Sequence, residues 1–268
     1  MTLSIRQREI MKRARREGQV QVETLAVDFG VSPQTIRRDL SELCDARLLA
    51  RVHGGAVMET SASNLVYETR RAIAEGAKAA IAARCADEIP EGASLFLGIG
   101  TTTEAVARAL TDRRDLLIVT NNLNVAQILA SGDKVQVVVT GGRLRLTDGG
   151  LVGEIAAESV ARFRLDMAVL GISAIDPEGT LLDYDMAEIA VIRAMMTHAR
   201  RRILVADTTK LARTAPVGAG RLDEFEVLVT DRPLPSPLAE SAAERGPRVL
   251  TPPLALLPEA VDESTAAE

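Results

Sequence analysis

Ser32-Pro33-Gln34-Thr35-Ile36-Arg37-Arg38-Asp39-Leu40 decides how the first part of this chain is read, and Arg51-Val52-His53-Gly54-Gly55 completes that reading. Ser32 is a good helix N-cap, because its hydroxyl accepts a bond from a free backbone N–H. Pro33 suits the first helical position, where its missing N–H costs nothing. Ile36, Leu40 and Leu43 recur at i, i+4 and i+7 and form one apolar stripe. Gln34, Arg38 and Ser41 point away from that stripe, and Thr35 and Arg37 flank it. Amide, hydroxyl and guanidinium groups are the types that read base edges and phosphates. Glu42 and Asp45 follow on the exposed side and repel phosphates. The N-terminal half of the helix is therefore the part expected to enter a DNA groove.

The flanking sequence agrees. Residues 22–29 put Leu25, Ala26 and Phe29 on one helical face, and Gly30-Val31-Ser32 is a short turn with glycine at the helix end. That is helix, turn, helix. An earlier helix, over about residues 5–16, carries Arg6, Arg8, Lys12, Arg13, Arg15 and Arg16. Residues 48–57 read as two short strands and a turn, the wing of a winged helix. The candidate contacts to double-stranded DNA are Ser32, Gln34, Thr35, Arg37, Arg38, Arg51 and His53. This arrangement, from about Arg6 to Val57, resembles the DeoR family of bacterial transcription regulators. The run from Ser32 to Leu40 and the His53-Gly54-Gly55-Ala56 that follows are that family's marks. The resemblance implies operator binding through the second helix of the pair.

Charge divides the chain in the same way. Residues 1–55 hold ten Lys/Arg and seven Asp/Glu, while the whole chain has 32 and 37. A modest basic excess on one small domain fits phosphate contacts. The acidic remainder argues against a general nucleic-acid coat and for a separate task. At 268 residues and 47% hydrophobic content, the chain can build a small DNA-binding domain and a core domain of ordinary size. Cys44 and Cys85 fall in expected helices, so a reducing cytoplasm is expected rather than a structural disulfide. No signal peptide and no apolar run of about 18 residues is present, so no membrane association is expected.

The expected organisation is a winged helix-turn-helix over 1–57, a polar linker over 58–73, an α/β domain over 74–255 and a disordered tail over 256–268. Short apolar runs at 94–99, 116–120, 135–140, 167–171, 203–207 and 227–230 alternate with helical patterns at 102–110, 122–130, 153–162 and 186–199. This is βα repetition, hence a mainly parallel sheet covered on both faces. In such sheets ligands sit beyond the carboxyl ends of the strands.

Those ends are small and polar. They read Gly98-Ile99-Gly100-Thr101-Thr102-Thr103, Thr120-Asn121-Asn122, Thr140-Gly141-Gly142, Gly171-Ile172-Ser173 and Asp207-Thr208-Thr209-Lys210, with Thr147-Asp148-Gly149-Gly150 in a later loop. Gly100 followed by three threonines at a helix start offers backbone N–H groups and hydroxyls to an anion. Lys210 adds a point charge. The alternative at any one position is a plain strand-to-helix turn with a threonine cap. The candidate phosphate and effector residues are Gly100, Thr101, Thr102, Thr103, Asn121, Asn122, Ser173 and Lys210.

Other chemistries find little support. No Gly-Lys-Ser/Thr follows the glycines, and no third glycine opens the helix. His53 and His198 are the only histidines and stand apart, so no metal site is expected. No Gly-x-Ser-x-Gly elbow is present. Asp183, Asp185 and Glu188 form an acidic cluster before a helix, as caps of that helix or as partners of a ligand hydroxyl.

Residues 75–232 also resemble the DeoR family, whose sensor domain is similar in fold to ribose-5-phosphate isomerase and the sugar-phosphate deaminases. The resemblance implies that Gly100 to Thr103 bind the phosphate of a small effector and that Lys210 contacts it. The isomerases carry an Asp-Gly-Ala-Asp-Glu stretch after the equivalent of the fourth strand. Here Leu170-Gly171-Ile172-Ser173-Ala174 stands in its place, so isomerisation has no proton carrier there. The expectation is a sensor rather than an enzyme, with no cofactor. Residues 120–126, 148–154, 163–166 and 171–176 resemble the branch of the family that governs glycerol 3-phosphate use, which makes glycerol 3-phosphate the first candidate effector. One departure is Thr208-Thr209-Lys210-Leu211-Ala212, where the family usually has His-Ser-Lys-Phe-Gly. A repressor released from its operator by a phosphorylated metabolite is the leading expectation. An activator, or an isomerase with an appended DNA-binding domain, are the alternatives. A homodimer or homotetramer is implied, because two half-sites need two recognition helices.

Overall fold

The computed structural model describes residues 3–17, 19–46, 48–52, 54–58, 67, 71, 74–132 and 134–253. The chain divides into two compact units, Met1–Ile73 and Ala74–Glu268. His53, most of the 58–73 segment and the 256–268 tail lie outside the described residues, and the expectations placed on them lie there too.

The first unit runs α1 (Ile5–Glu17), β1 (Gln19–Gln21), α2 (Val22–Phe29), α3 (Pro33–Asp45), β2 (Leu49–Val52) and β3 (Gly55–Met58). Its three strands pair antiparallel in the order β1-β3-β2. The helix-turn-helix and the two wing strands are as the sequence implies. Strand β1 is an addition, since three residues wedged between two helices carry no legible alternation. Gly55 is its trace in the sequence. A Cβ at that position would sit 2.0 Å from the Val20 carbonyl oxygen, so only glycine lets β1 and β3 approach. Ile10, Leu25, Ile36, Leu43 and Leu49, all fully buried or nearly so, join the helices and the wing in one core.

The second unit is built on a seven-stranded sheet in which every pairing is parallel. Its strands are β4 (Ser94–Leu97), β5 (Leu116–Thr120), β6 (Val135–Val139), β9 (Leu165–Leu170), β12 (Ala199–Val205), β14 (Val227–Val229) and β15 (Arg248–Leu250), in the order β15-β14-β12-β9-β4-β5-β6. Strands β7 (Arg143–Arg145) and β8 (Gly150–Val152) form a hairpin, and β10 (Ala174–Ile175), β11 (Thr180–Asp183) and β13 (Val217–Arg221) form a small antiparallel sheet in the order β10-β11-β13. Helices α4 (Glu75–Ala86), α5 (Thr101–Leu110) and α6 (Leu123–Leu129) cover one face through Ile81, Val106, Leu110 and Val125. Helices α7 (Glu154–Ala161) and α8 (Met186–His198) cover the other through Val160, Val191 and Met195. Both faces are dry, which is why the strands read as nearly continuous apolar runs.

Three additions correct the sequence reading: strand β15, the hairpin after β6 and the small β10-β11-β13 sheet. Strand β15 extends the sheet from inside a proline-rich stretch, where no strand is expected. It is short and lies at the edge, where flanking Pro247 and Pro252 remove no ladder bond. Glu88 anchors that edge, accepting from Arg201 on β12 at 2.6 Å and from Arg248 on β15 at 2.5 Å. The stretch after β6, read as loop, contains a hairpin of β7 (Arg143–Arg145) and β8 (Gly150–Val152). The hairpin folds over the carboxyl end of β5. The Leu151 N–H donates to the Asn121 carbonyl at 2.7 Å, and the Leu123 N–H to that of Gly149 at 2.8 Å.

Candidate functional site

In the first unit Ser32 caps α3 as its sequence implies, accepting from the Thr35 N–H at 3.3 Å. Ser32, Gln34, Arg37 and Arg38 are exposed, and Thr35 is half-buried. Arg37 lies 3.4 Å from Glu23 and Arg38 lies 3.3 Å from Glu42. The Arg38 side chain remains 83% exposed. Ion pairs this open contribute about 0–1 kcal/mol, so a DNA phosphate or base edge can replace the carboxylate. Arg51 lies on β2, and His53 falls outside the described residues.

Two acids on this helix do structural work that the sequence reading missed. Asp39 is buried and accepts from the Arg6 guanidinium, which ties α1 to α3. Its clue was position, three residues after Ile36 and on the apolar stripe. Glu42 accepts from the Gln7 amide at 2.7 Å as well as from Arg38. It is thus held against α1 rather than standing as a free charge.

In the second unit the candidate effector residues gather at the carboxyl ends of neighbouring strands. Gly100 precedes α5 with φ +142, a conformation that suits glycine. The first N–H groups of that helix lack partners within it. Thr102 and Thr103 are buried, and Thr101 is half-buried. The Thr103 hydroxyl donates to the Gly100 carbonyl at 2.7 Å and stiffens the turn. The loop after β9 packs against this cradle, since a Cβ at Gly171 would meet the Ile99 carbonyl at 3.4 Å. Ser173, two residues on, is half-buried. Lys210 is buried on a short 3₁₀ turn (Thr208–Ala212) that follows β12, one strand further along the sheet. Asp207 caps that turn through the Thr209 N–H at 3.1 Å.

The two asparagines differ. The Asn122 oxygen accepts from the Asn124 and Val125 N–H groups at 2.7 and 3.1 Å, and its amide donates to the Asp148 carbonyl at 3.2 Å. Asn122 therefore caps α6 and fastens the hairpin, with no side-chain atom left over. Asn121 donates to the Leu151 carbonyl at 3.0 Å, but its side-chain oxygen is buried without a partner.

The acidic cluster resolves around Arg145, which sequence reading did not single out. Arg145 donates to Asp148 at 2.7 Å, to Asp185 at 2.9 Å and to Glu188 at 2.5 Å. Asp185 also caps α8 through the Ala187 N–H at 2.9 Å. Burial and the nearby Asp183 push the Glu188 carboxyl up to about 7, against the pull of Arg145. Three carboxylates around one guanidinium form a clasp between the hairpin and the start of α8. Such a clasp disfavours a phosphate. A groove of about 390 Å³ elsewhere, between the Glu178 turn and helix α9 (Leu238–Arg245), is lined by Glu178, Asp223, Glu240 and Glu244 against one cation, Arg221, a balance that disfavours an anion.

Among the described residues, no group of three or more His, Cys, Asp or Glu could hold a metal ion, and no helix is long and apolar enough to cross a membrane. Neither Cys44 nor Cys85 is in a disulfide, and burial pushes the Cys85 thiol up to about 12.

A winged helix carrying a polar recognition helix, on one chain with a parallel-sheet unit that gathers a threonine-rich helix start and polar strand ends, defines a ligand-sensing DNA-binding class of protein. The DeoR-like helix-turn-helix domain matches residues 6–62 and the DeoR C-terminal sensor domain matches residues 73–232. The chain belongs to the DeoR family. It is 43% identical over 226 residues to the glycerol-3-phosphate regulon repressor of Escherichia coli (strain K12), covering 84% of this chain and 90% of that one. It is 46% identical over 230 residues to the glycerol-3-phosphate regulon repressor of Haemophilus influenzae, covering 86% and 90%. Among solved structures it matches ribose 5-phosphate isomerase A from Neisseria gonorrhoeae at 15% identity, over 50% of this chain and 52% of that one, with a TM-score of 0.37.

Proposed function

We propose that this protein is a transcriptional repressor of a carbohydrate or glycerol catabolic operon, released from its operator by a small phosphorylated metabolite, with glycerol 3-phosphate the first candidate. The observation that carries the proposal is the pairing of two sites on one chain. Helix α3 offers Gln34, Thr35, Arg37 and Arg38 to DNA, and the Gly100-Thr101-Thr102-Thr103 turn offers a helix start to a phosphate at the centre of the sheet. The relatives named above support the sign of regulation and the choice of glycerol 3-phosphate as the first effector to test, since both are named as repressors of the glycerol-3-phosphate regulon.

Effector binding shifts the equilibrium between operator-bound and free forms only by its differential affinity for the two. Two half-sites require two recognition helices at a fixed spacing, so the working form is a homodimer or homotetramer in the cytoplasm. Catalysis is not part of the proposal. The stretch after β9, Leu170-Gly171-Ile172-Ser173-Ala174, holds no carboxylate, and Asp185 and Glu188 at the start of α8 pair with Arg145.

The test uses a duplex selected by the full chain from a randomised pool. Fluorescence anisotropy should report tight binding that glycerol 3-phosphate reverses and inorganic phosphate does not. Operator binding reversed by a different sugar phosphate would move the effector assignment and keep the mechanism. Turnover of ribose 5-phosphate or glucosamine 6-phosphate by the purified chain would replace the sensor reading with an enzymatic one.

A further inference from the structure

The large apolar side chains that the second unit leaves exposed are not scattered over it. Leu146, Ile155, Tyr184 and Met186 are 64–82% exposed, and Leu123, Val139 and Leu144 are exposed to a lesser degree. All of those described for this unit stand at the carboxyl end of the parallel sheet. Leu123 opens α6 and Val139 closes β6. Leu144 and Leu146 lie on the hairpin, and Ile155 and Met186 occupy the first turns of α7 and α8, with Tyr184 just before. Backbone contacts join these segments into one band. The Leu123 N–H donates to the Gly149 carbonyl at 2.8 Å, and the Gly153 N–H to that of Ala187 at 3.2 Å. A Cβ at Gly141, two residues past Val139, would meet the Ile155 side chain at 3.3 Å.

Single exposed apolar residues are ordinary, but a segregated set marks an interaction surface. This band exposes on the order of 700 Å², against roughly 300–600 Å² for the largest patch of a typical monomer and roughly 800 Å² per partner in a stable complex. Its charges are self-complementary. Arg143 on the hairpin and Glu154 and Glu158 on α7 are exposed, and none has an ion-pair partner among the described residues. In a two-fold contact a residue i of one copy meets j of the other and the reverse holds too, so one face carrying both signs satisfies itself. The adjoining sheet edge agrees. Strand β6 ends the strand order, and Val135–Val139 holds neither proline nor charge, whereas β15 at the opposite edge is short and lies between Pro247 and Pro252. An open edge without such guards is a pairing template unless something covers it.

We propose that this carboxyl-end band is the surface on which a second copy of the chain docks. The inference rests on the two-copy reading above and deepens it by naming the surface. The partner then covers the end of the sheet at which the Gly100 turn stands.

Sedimentation equilibrium of the full chain, with and without Leu146→Asp and Met186→Asp introduced together, tests the assignment. Both positions are exposed, so the fold should tolerate the change, and circular dichroism checks that it does. The variant should show half the mass of the unaltered chain or less. Hydroxyl-radical footprinting of the unaltered chain decides the matter if the variant fails to fold. Met186 and Tyr184 should be oxidised several-fold more slowly at concentrations where the chain assembles than where dilution separates the copies. A folded variant of unchanged mass, or equal oxidation in the two states, would overturn the surface, give the band to a different partner and leave the two-copy reading standing. An unaltered chain that is monomeric at every concentration would overturn both.

Discussion

Arg145 and Glu188 lie 43 positions apart in sequence and meet at 2.5 Å, where the hairpin after β6 touches the first turn of α8. The contact ties the hairpin to α8 over the strand ends. Burial favours the neutral acid and Arg145 favours the charged one, and burial together with Asp183 prevails, so the Glu188 carboxyl rises from an ordinary 4.5 to about 7.

A pH dependence follows. An acid whose folded-state value is raised binds its proton more tightly in the folded chain, so its stabilisation is complete below about 4.5 and is lost as pH rises to about 7. Glu188→Gln lacks that dependence. Thermal unfolding at pH 5, 6, 7 and 8 should show the melting temperature of Glu188→Gln rising relative to the unaltered chain across this window. A difference independent of pH would mean that Glu188 is already ionised at the bottom of the range.

Arg38 is the more open of the two guanidiniums on α3, 83% exposed against 49% for Arg37, and its described ion-pair partner is Glu42. Arg38→Ala should weaken operator binding by about 1–3 kcal/mol if it pairs with a base, and should flatten the preference at that base pair. Loss of less than that, with a lower salt slope, would place it on a phosphate instead. Unchanged affinity would remove α3 as the reading helix.

Asp39 stands on the same helix with the opposite role. Asp39→Ala should leave Arg6 without its partner and lower the stability of the first unit by about 1–2 kcal/mol, the discount reflecting the exposure of Arg6. Operator affinity should fall with temperature-dependent unfolding rather than with a change in base preference. Denaturant melts of the chain beside anisotropy at a low temperature would separate the two.

Thr102 lies buried in the first turn of α5, where a bound anion would sit. The operator complex of Thr102→Val should persist at effector concentrations that dissolve the unaltered complex. Calorimetry should show effector affinity down by about tenfold or more, the cost of one charge-assisted hydrogen bond. Release at the ordinary concentration would move the phosphate away from this turn.

The sequence by itself determined the helix-turn-helix, the wing and the parallel βα alternation, because caps, apolar spacing and strand length are local properties of the chain. It also placed the Gly100 turn and Lys210 directly after strands of the parallel sheet. It was silent on β1 and β15, three-residue strands whose pairing energy comes entirely from a partner elsewhere. It was equally silent on which polar side chains are already occupied. Asn121 and Asn122 are identical and adjacent in sequence, yet one is consumed as a helix cap and the other keeps a buried acceptor open. Asp185 and Glu188 read as a bare acidic cluster until Arg145 arrives from 40 and 43 positions away. Only the tertiary structure decides such matters, because hydrogen-bond capacity and charge compensation depend on what the fold brings within about 3 Å, and that distance has no counterpart along the chain.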